Sequence, residues 1–325
     1  LVPNFEVRIE TPRLDNWVVG NTGVPGFTTR ESGRRGPHVA LVALTHGNEI
    51  AGAIVLERLL SRGLRPLRGR LTFGFANLAA FARFDPRAPT TSRFIDEDMN
   101  RVWDSAVLDG PRHSSELDRA RQMRPLIDQV DILLDLHTML WPSDPLLLCG
   151  SSAKGRDLAR GIGHPPLIVA DHGHASGPRL IDYGPFVDPS TQAAGVLVES
   201  GQHWEAGAVE MTLATVAALL RHAGMIEAFD GLPPPRPASP PPARSRGAEP
   251  RFAEVTDVVT AVTANFAFVQ PFRGGDVIER RNTLIALDGT TEIRTPYNHC
   301  LLVMPSLRPS RGHTAVRLAR QTAWP

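Results

Sequence analysis

Short apolar runs recur along the first two thirds of the chain, at Val39–Thr45, Arg70–Ala76, Asp131–His137, Leu146–Cys149, Leu167–Ala170 and Gly195–Glu199. Their length and bounding turn residues read as strands. Segments with helical spacing lie between them. In Ile50–Leu60, Ile54, Val55 and Leu59 share one face while Glu57 and Arg58 fall on the other. Ser115, with Asp118 three positions on, resembles a helix start, and Leu117, Ala120, Met123, Ile127 and Val130 continue an apolar stripe. Pro125 interrupts that stripe, which predicts a kink or a shortened helix. Val209–Ile226 reads as the longest helix, with Leu213, Val216 and Leu220 giving a buried face. This alternation predicts an α/β frame. Gly231–Pro250, with Pro233-Pro234-Pro235 and Pro240-Pro241-Pro242, can sustain neither helix nor central strand and reads as an extended linker. Beyond it the texture changes to short β-like runs at Glu254–Thr263, Ala267–Val269, Val277–Ile278, Thr283–Ala286 and Leu301–Met304, punctuated by Gly274-Gly275 and Asp288-Gly289. The expected organisation is 1–230 as an α/β domain, 231–250 as linker and 251–325 as a small β-rich domain.

Chemistry enters at the ends of two predicted strands. His46-Gly47-Asn48-Glu49 follows the run Val39–Thr45, and His137 ends the run Asp131–His137. A tight turn from strand to helix lets His46 and Glu49 converge on one cation, and an adjacent parallel strand can bring in His137, because open α/β sheets gather ligands beyond the carboxyl ends of strands. Two imidazoles and a carboxylate suit zinc with a position left for water or substrate. Manganese, cobalt or iron can occupy related sets.

At these residues the chain resembles the succinylglutamate desuccinylase and aspartoacylase family. The resemblance is carried, in order over residues 38–225, by His46-Gly47-Asn48-Glu49, by Arg93-Phe94-Ile95-Asp96-Glu97-Asp98-Met99-Asn100-Arg101, by Leu134-Asp135-Leu136-His137-Thr138 and by Val198-Glu199-Ser200-Gly201-Gln202. It implies a zinc carboxypeptidase-like fold, with a mixed, mostly parallel sheet flanked by helices. It also implies His46, Glu49 and His137 as ligands of one Zn2+ per subunit, Glu199 as general acid/base, and Arg93, Asn100 and Arg101 facing the substrate. The C-terminal β domain would cover the active-site edge or build a subunit interface, which leaves a homo-oligomer open.

These assignments are chemically coherent. Zinc polarises a scissile carbonyl and acidifies water, and a nearby carboxylate moves the proton to the departing nitrogen. Glu199 follows an apolar run and would project from a strand end; an ion-paired surface glutamate is the alternative. Arginine forks clamp carboxylates, so Arg93 and Arg101 flanking Asn100 point to an anionic amino-acid moiety, with one of them able to polarise the carbonyl. Alternatively, Arg93 pairs with Asp96 or Asp98 in a solvated cluster. The resemblance implies a further substrate-reading arginine about ten residues before the catalytic glutamate. Pro189 stands in that region, and the nearest preceding arginine is Arg179. Met139–Asp144 can form a partly apolar pocket wall, and Tyr297 is a candidate substrate contact from the C-terminal domain. Asp171-His172-Gly173-His174 groups imidazoles with a carboxylate but predicts no geometry, since alternate strand residues point apart.

Composition narrows the partners. With 35 Lys plus Arg against 34 Asp plus Glu, the net charge is +1, and the scattered positive positions form no basic, aromatic-interleaved patch, so nucleic acid is not expected. Gly150–Gly155 lacks the full phosphate-loop pattern. Cys149 and Cys300 read as buried free thiols. No apolar stretch reaches membrane-spanning length and no basic-then-apolar leader is present, so the expected location is cytoplasmic. The expected function is zinc-dependent hydrolysis of the amide of a small anionic N-acyl amino acid or related amine. The alternatives are a metallocarboxypeptidase on a small peptide-like substrate and a non-catalytic, metal-dependent metabolite-binding protein.

Overall fold

A computed structural model describes residues 5–173, 176–227 and 250–324. Its strands are β1 (Phe27–Glu31), β2 (His38–Ala43), β3 (Arg70–Phe75), β4 (Ile132–Met139), β5 (Leu146–Leu148), β6 (Leu167–Ala170), β7 (Ala194–Gln202), β8 (Arg251–Thr260), β9 (Phe266–Phe268), β10 (Val277–Ile278), β11 (Leu284–Asp288), β12 (Thr291–Arg294), β13 (Cys300–Val303) and β14 (Thr314–Thr322). Its α-helices are α1 (Ile50–Ser61), α2 (Leu78–Phe81), α3 (Ser105–Asp109), α4 (Ser115–Ile127), α5 (Ala153–Ile162) and α6 (Ala206–His222).

One 11-stranded sheet runs β1-β3-β2-β4-β7-β5-β6-β8-β14-β13-β10. Its central run β3-β2-β4-β7 is parallel, as are β5-β6 and β6-β8. A separate 3-stranded antiparallel sheet, β12-β11-β9, stands at the C-terminal end. This is the mixed α/β architecture expected from the sequence. The strands beyond residue 250 also extend the main sheet, because β8 pairs with β6 from Leu167↔Arg251 to Ala170↔Glu254.

The central strands are buried on both faces, so alternate residues feed two cores. Val39, Leu41 and Ala43 of β2 pack with Ile54, Val55 and Leu59 of α1 and with Val216 and Leu220 of α6. Ala40 and Val42 face the other way, toward Leu117, Ala120, Met123 and Ile127 of α4, and toward Trp103 and Phe186. The result is three layers. Gly52 lets α1 seat closely, since a Cβ there would stand 2.9 Å from Leu136 Cβ and 3.0 Å from Ala43 Cβ.

Several boundaries differ from expectation. The α4 N-cap is Ser114, whose hydroxyl accepts the Leu117 N–H at 3.0 Å. The helix ends at Ile127, just past Pro125, so the stripe's last member, Val130, lies in a turn. A proline in the last turn costs little because the ladder is already ending. The Gly150–Gly155 segment leads into α5, whose Ser152 Oγ caps Gly155 N and whose end at Gly163 is left-handed (φ +60°). Residues 231–249 of the expected linker, and His174, lie outside the described residues. No helix among the described residues is long and apolar enough to cross a membrane.

Candidate metal centre and pocket

β2 ends at Ala43, and Leu44 takes a left-handed conformation (φ +59°) that turns the chain toward α1. His46 to Glu49 occupy that turn. Gly47 is required there, because a Cβ would come within 2.4–2.6 Å of Ala80, Phe81 and Ser92 backbone atoms. Its N–H donates to Arg93 O at 3.0 Å, tying the turn to the 93–101 segment. The adjacent parallel strand β4 carries His137, and in β7 Glu199 stands in register with it.

The three sequence-chosen ligands meet. Each offers an atom within 4.8 Å of the others, and all three are buried. His46 Nδ1 lies 2.8 Å from Glu49 Oε1 and His137 Nδ1 lies 3.0 Å from Glu49 Oε2. The outer nitrogens are held by carboxylates: His46 Nε2 by Asp98 Oδ1 at 2.9 Å and His137 Nε2 by Asp135 Oδ2 at 2.8 Å. Such carboxylate–histidine pairs fix ring orientation and raise ligand basicity, as metal centres require. Donor type, convergence of both Nδ1 atoms and the occupied Nε2 atoms all fit a divalent cation of zinc's preference.

The electrostatics match. Burial disfavours charge on Glu49, yet the His46 and His137 rings overcome it and hold the carboxyl well below its usual range. Burial likewise opposes a charged His137, but Asp135 and Glu49 raise its pKa well above the ordinary value. At Asp98, His46 and Arg93 outweigh burial and keep the carboxylate ionised. Glu199 goes the other way, pushed up to about 8 by burial and by the Glu49 charge. Its Oε2 is buried with no hydrogen-bond partner.

The cavity at this centre measures about 250 Å³ and is lined by His46, Glu49, Arg93, Thr138, Glu199 and His203, with Met139, Leu140 and Trp141 on one wall and Met304, Pro305 and Ser306 on another. Arg93 Nη1 reaches Glu49 Oε1 at 3.2 Å and its Nη2 reaches Asp98 Oδ2 at 3.1 Å. The Asp98 pairing weighed from the sequence therefore forms, but inside the site, while Asp96 instead bonds Ser115.

Other candidates stand elsewhere. Asn100 lies behind the pocket, its amide Nδ2 3.2 Å from Asp135 Oδ2 and from His137 Nε2, and its Oδ1 accepting Leu180 N at 2.9 Å. Arg101 is not among the cavity-lining residues; it donates to Asn100 O and stands 3.7 Å from Asp98. Burial lowers its pKa to about 10, with Arg93, Arg317 and Arg179 adding to the effect. Tyr297 also lies outside the cavity lining: it packs in a C-terminal cluster, with its hydroxyl 2.7 Å from Thr256 Oγ1 and Arg320 over its ring. The C-terminal contribution to the pocket comes instead from Met304–Ser306, which follows β13. Asp171 pairs with Arg179 (3.3 Å) and Arg317 (2.9 Å), whereas the exposed His172 turns toward Glu254.

Three contributors escaped sequence reading. Asp135 had a usable signal: a carboxylate within an apolar run and two positions before His137 shares its face of the strand. Glu116 and His203 had none. Glu116, fully buried in α4, accepts the backbone N–H groups of Ile95 (2.7 Å), Asp96 (3.0 Å) and Glu97 (3.2 Å) and the Asn77 amide (2.9 Å), pinning the segment that carries Arg93 and Asp98. His203, just past β7, is 2% exposed, and burial drops its pKa to about 4.

The protein-family model for the succinylglutamate desuccinylase/aspartoacylase catalytic domain matches residues 35–223. No curated protein sequence matches the chain. Among solved structures, a succinylglutamate desuccinylase from Vibrio cholerae aligns with TM-score 0.63 and 17% identity over 89% of this chain and 82% of its own. A succinylglutamate desuccinylase/aspartoacylase from Rhodobacter sphaeroides aligns with TM-score 0.63 and 19% identity, covering 91% and 89%. The product-bound ectoine utilization protein EutE (DoeB) from Ruegeria pomeroyi gives TM-score 0.61 and 16% identity, covering 91% and 88%. These likenesses concern the fold, and the family model, spanning more than half of the sequence, carries the assignment: the chain belongs to the succinylglutamate desuccinylase/aspartoacylase family.

Proposed function

We propose that the protein is a zinc-dependent amidohydrolase that removes the acyl group from a small anionic N-acyl amino acid or related amine. The observation that carries this reading is the buried His46–Glu49–His137 cluster sharing one cavity with Glu199 and Arg93. His46 Nδ1, a Glu49 oxygen and His137 Nδ1 would hold the metal. Bound there, zinc supplies Lewis acidity that activates water and polarises the scissile carbonyl.

The chain's own residues do the rest. Glu199 takes a proton from the attacking water and returns it to the departing nitrogen. Its pKa is high chiefly through burial and the Glu49 charge, and it would fall back toward the ordinary carboxylate range, suiting a base near neutral pH, once Glu49 is neutralised by ligating a cation. Arg93 donates to the carbonyl oxygen as charge builds on it. Asp98 and Asp135 keep the two imidazoles turned inward, and Asn100 braces Asp135 and His137. In this reading residues 1–230 form the catalytic unit, 231–250 the linker, and 251–325 a β-rich addition that supplies Met304–Ser306 to the pocket wall.

The test is amine release from N-acetyl, N-succinyl and N-formyl amino acids and diamines by chelator-treated protein, with and without restored zinc. Zinc-dependent release from one acyl series is expected. Glu199→Gln should keep the metal and lose most turnover, and His46→Ala should lose both. Stoichiometric metal with no release from any member would overturn the reading.

A further inference from the structure

The pocket contains a polar group that the proposed mechanism does not use. His203 is anchored on three sides. Its N–H donates to Met139 O at 2.7 Å, its ring lies 5.0 Å from the Trp204 ring, and its Nδ1 is 2.6 Å from Thr138 Oγ1. Trp204, which follows it, is itself fixed by a left-handed backbone (φ +62°) and by an indole N–H donated to Asn48 O at 2.9 Å. The imidazole is therefore held rigidly by residues adjoining the metal cluster.

The contact between Thr138 and the ring favours one tautomer. Thr138 is buried, and a buried hydroxyl hydrogen needs an acceptor. His203 Nδ1 is the acceptor the structure provides for it. With Thr138 as donor, Nδ1 is bare and the ring hydrogen sits on Nε2, which has no hydrogen-bond partner among the described residues. Across the same cavity Glu199 Oε2 also lacks a partner. A ring nitrogen with no partner among the described residues and a buried carboxylate oxygen left open, both on side chains lining one pocket, mark atoms that a ligand satisfies.

Building on the deacylase reading, we propose that His203 is a substrate-binding residue whose Nε2–H donates a hydrogen bond to a carbonyl or carboxylate oxygen of the substrate. A neutral donor at this point complements Arg93. The guanidinium serves the oxygen that gains charge, while the imidazole fixes an oxygen whose charge does not change, so its effect falls on binding.

The experiment pairs kinetics with a direct view of the ring. His203→Phe keeps the ring's bulk and removes both nitrogens, and His203→Gln returns an N–H donor near Nε2. On the best substrate of the acyl panel, with zinc content and melting temperature unchanged, Phe should lower kcat/KM about 10- to 100-fold, mostly through KM, and Gln should recover a large part. Histidine 15N NMR of the zinc-loaded parent should show His203 as the Nε2–H tautomer, with that resonance moving on addition of acetate or succinate. A Phe variant within twofold of the parent, a Gln variant as impaired as Phe, an Nδ1–H tautomer or an unresponsive resonance would each overturn the proposal. If the parent releases no amine while the resonance responds to carboxylate, the deacylase reading fails and the role of His203 stands.

Discussion

Removing the Glu116 carboxylate should damage the metal centre without touching it. Its two oxygens accept four N–H groups: Oε1 those of Ile95 and Asn77, Oε2 those of Asp96 and Glu97. Hydrogen bonds to a charged acceptor contribute about 1.5–3 kcal/mol each, and a donor left buried costs about 1–3 kcal/mol. Asp96 is exposed and Glu97 half-buried, so water can partly replace their bonds in a truncation variant. The Asn77 amide is buried and Ile95 only partly open, and these carry most of the loss. Glu116→Ala should therefore destabilise the fold by about 3–5 kcal/mol, and Glu116→Gln by about 2–3, since the amide keeps one acceptor and turns donors against donors. Urea unfolding followed by circular dichroism gives the stability difference, and hydrogen exchange reports on residues 93–101. Because that segment holds Arg93 and Asp98 against His46, zinc affinity should fall in the same variants. A loss below about 1 kcal/mol, with unchanged protection of 93–101, would show that something other than Glu116 holds the segment.

Two further outcomes follow from the charge arrangement. In metal-free protein Glu199 is protonated when folded up to about pH 8, while an unfolded glutamate ionises near 4.5. A raised pKa gives stability that is whole below pH 4.5 and lost as pH climbs through 8, so unfolding free energy should drop by roughly 5 kcal/mol across that window. Glu199→Gln should flatten the slope, and an equally steep slope in the variant would exclude Glu199 as its source. Asp135→Asn, which weakens the anchor on His137 Nε2, should lower zinc affinity about 10- to 100-fold in competition with a chromophoric chelator; an affinity within twofold of the parent would remove Asp135 from the metal-supporting set.

The legible part of this protein was the part written in strands. Runs such as Val39–Thr45 and Asp131–His137 are apolar on both faces because they lie deep in a parallel sheet, and a polar residue at the end of such a run stands out. β14 was missed because Arg317 and Arg320 break its pattern, although Arg317 is buried against Asp171. β1, an edge strand, carries Arg30 and Glu31 and looks like a surface loop. Glu116 sits in the first turn of α4, where an acidic residue is ordinary for helix-dipole reasons. Only the packing of residues 95–97 over it reveals its role. His203, just past β7, likewise depends on Thr138, which lies on β4. Such pairings are properties of the assembled fold, and no local window contains both members.

The β6–β8 pairing also bears on how this chain can be taken apart. Residues before 228 and after 249 are joined by ladder hydrogen bonds from Leu167↔Arg251 to Ala170↔Glu254, and Phe252 and Ala253 are buried in the two cores. Continuity of the backbone is thus not the only tie between them. Separately expressed pieces divided within 228–249 should find one another through that seam, and the reassembled protein would take the Met304–Ser306 wall of its cavity from one piece and every metal ligand from the other.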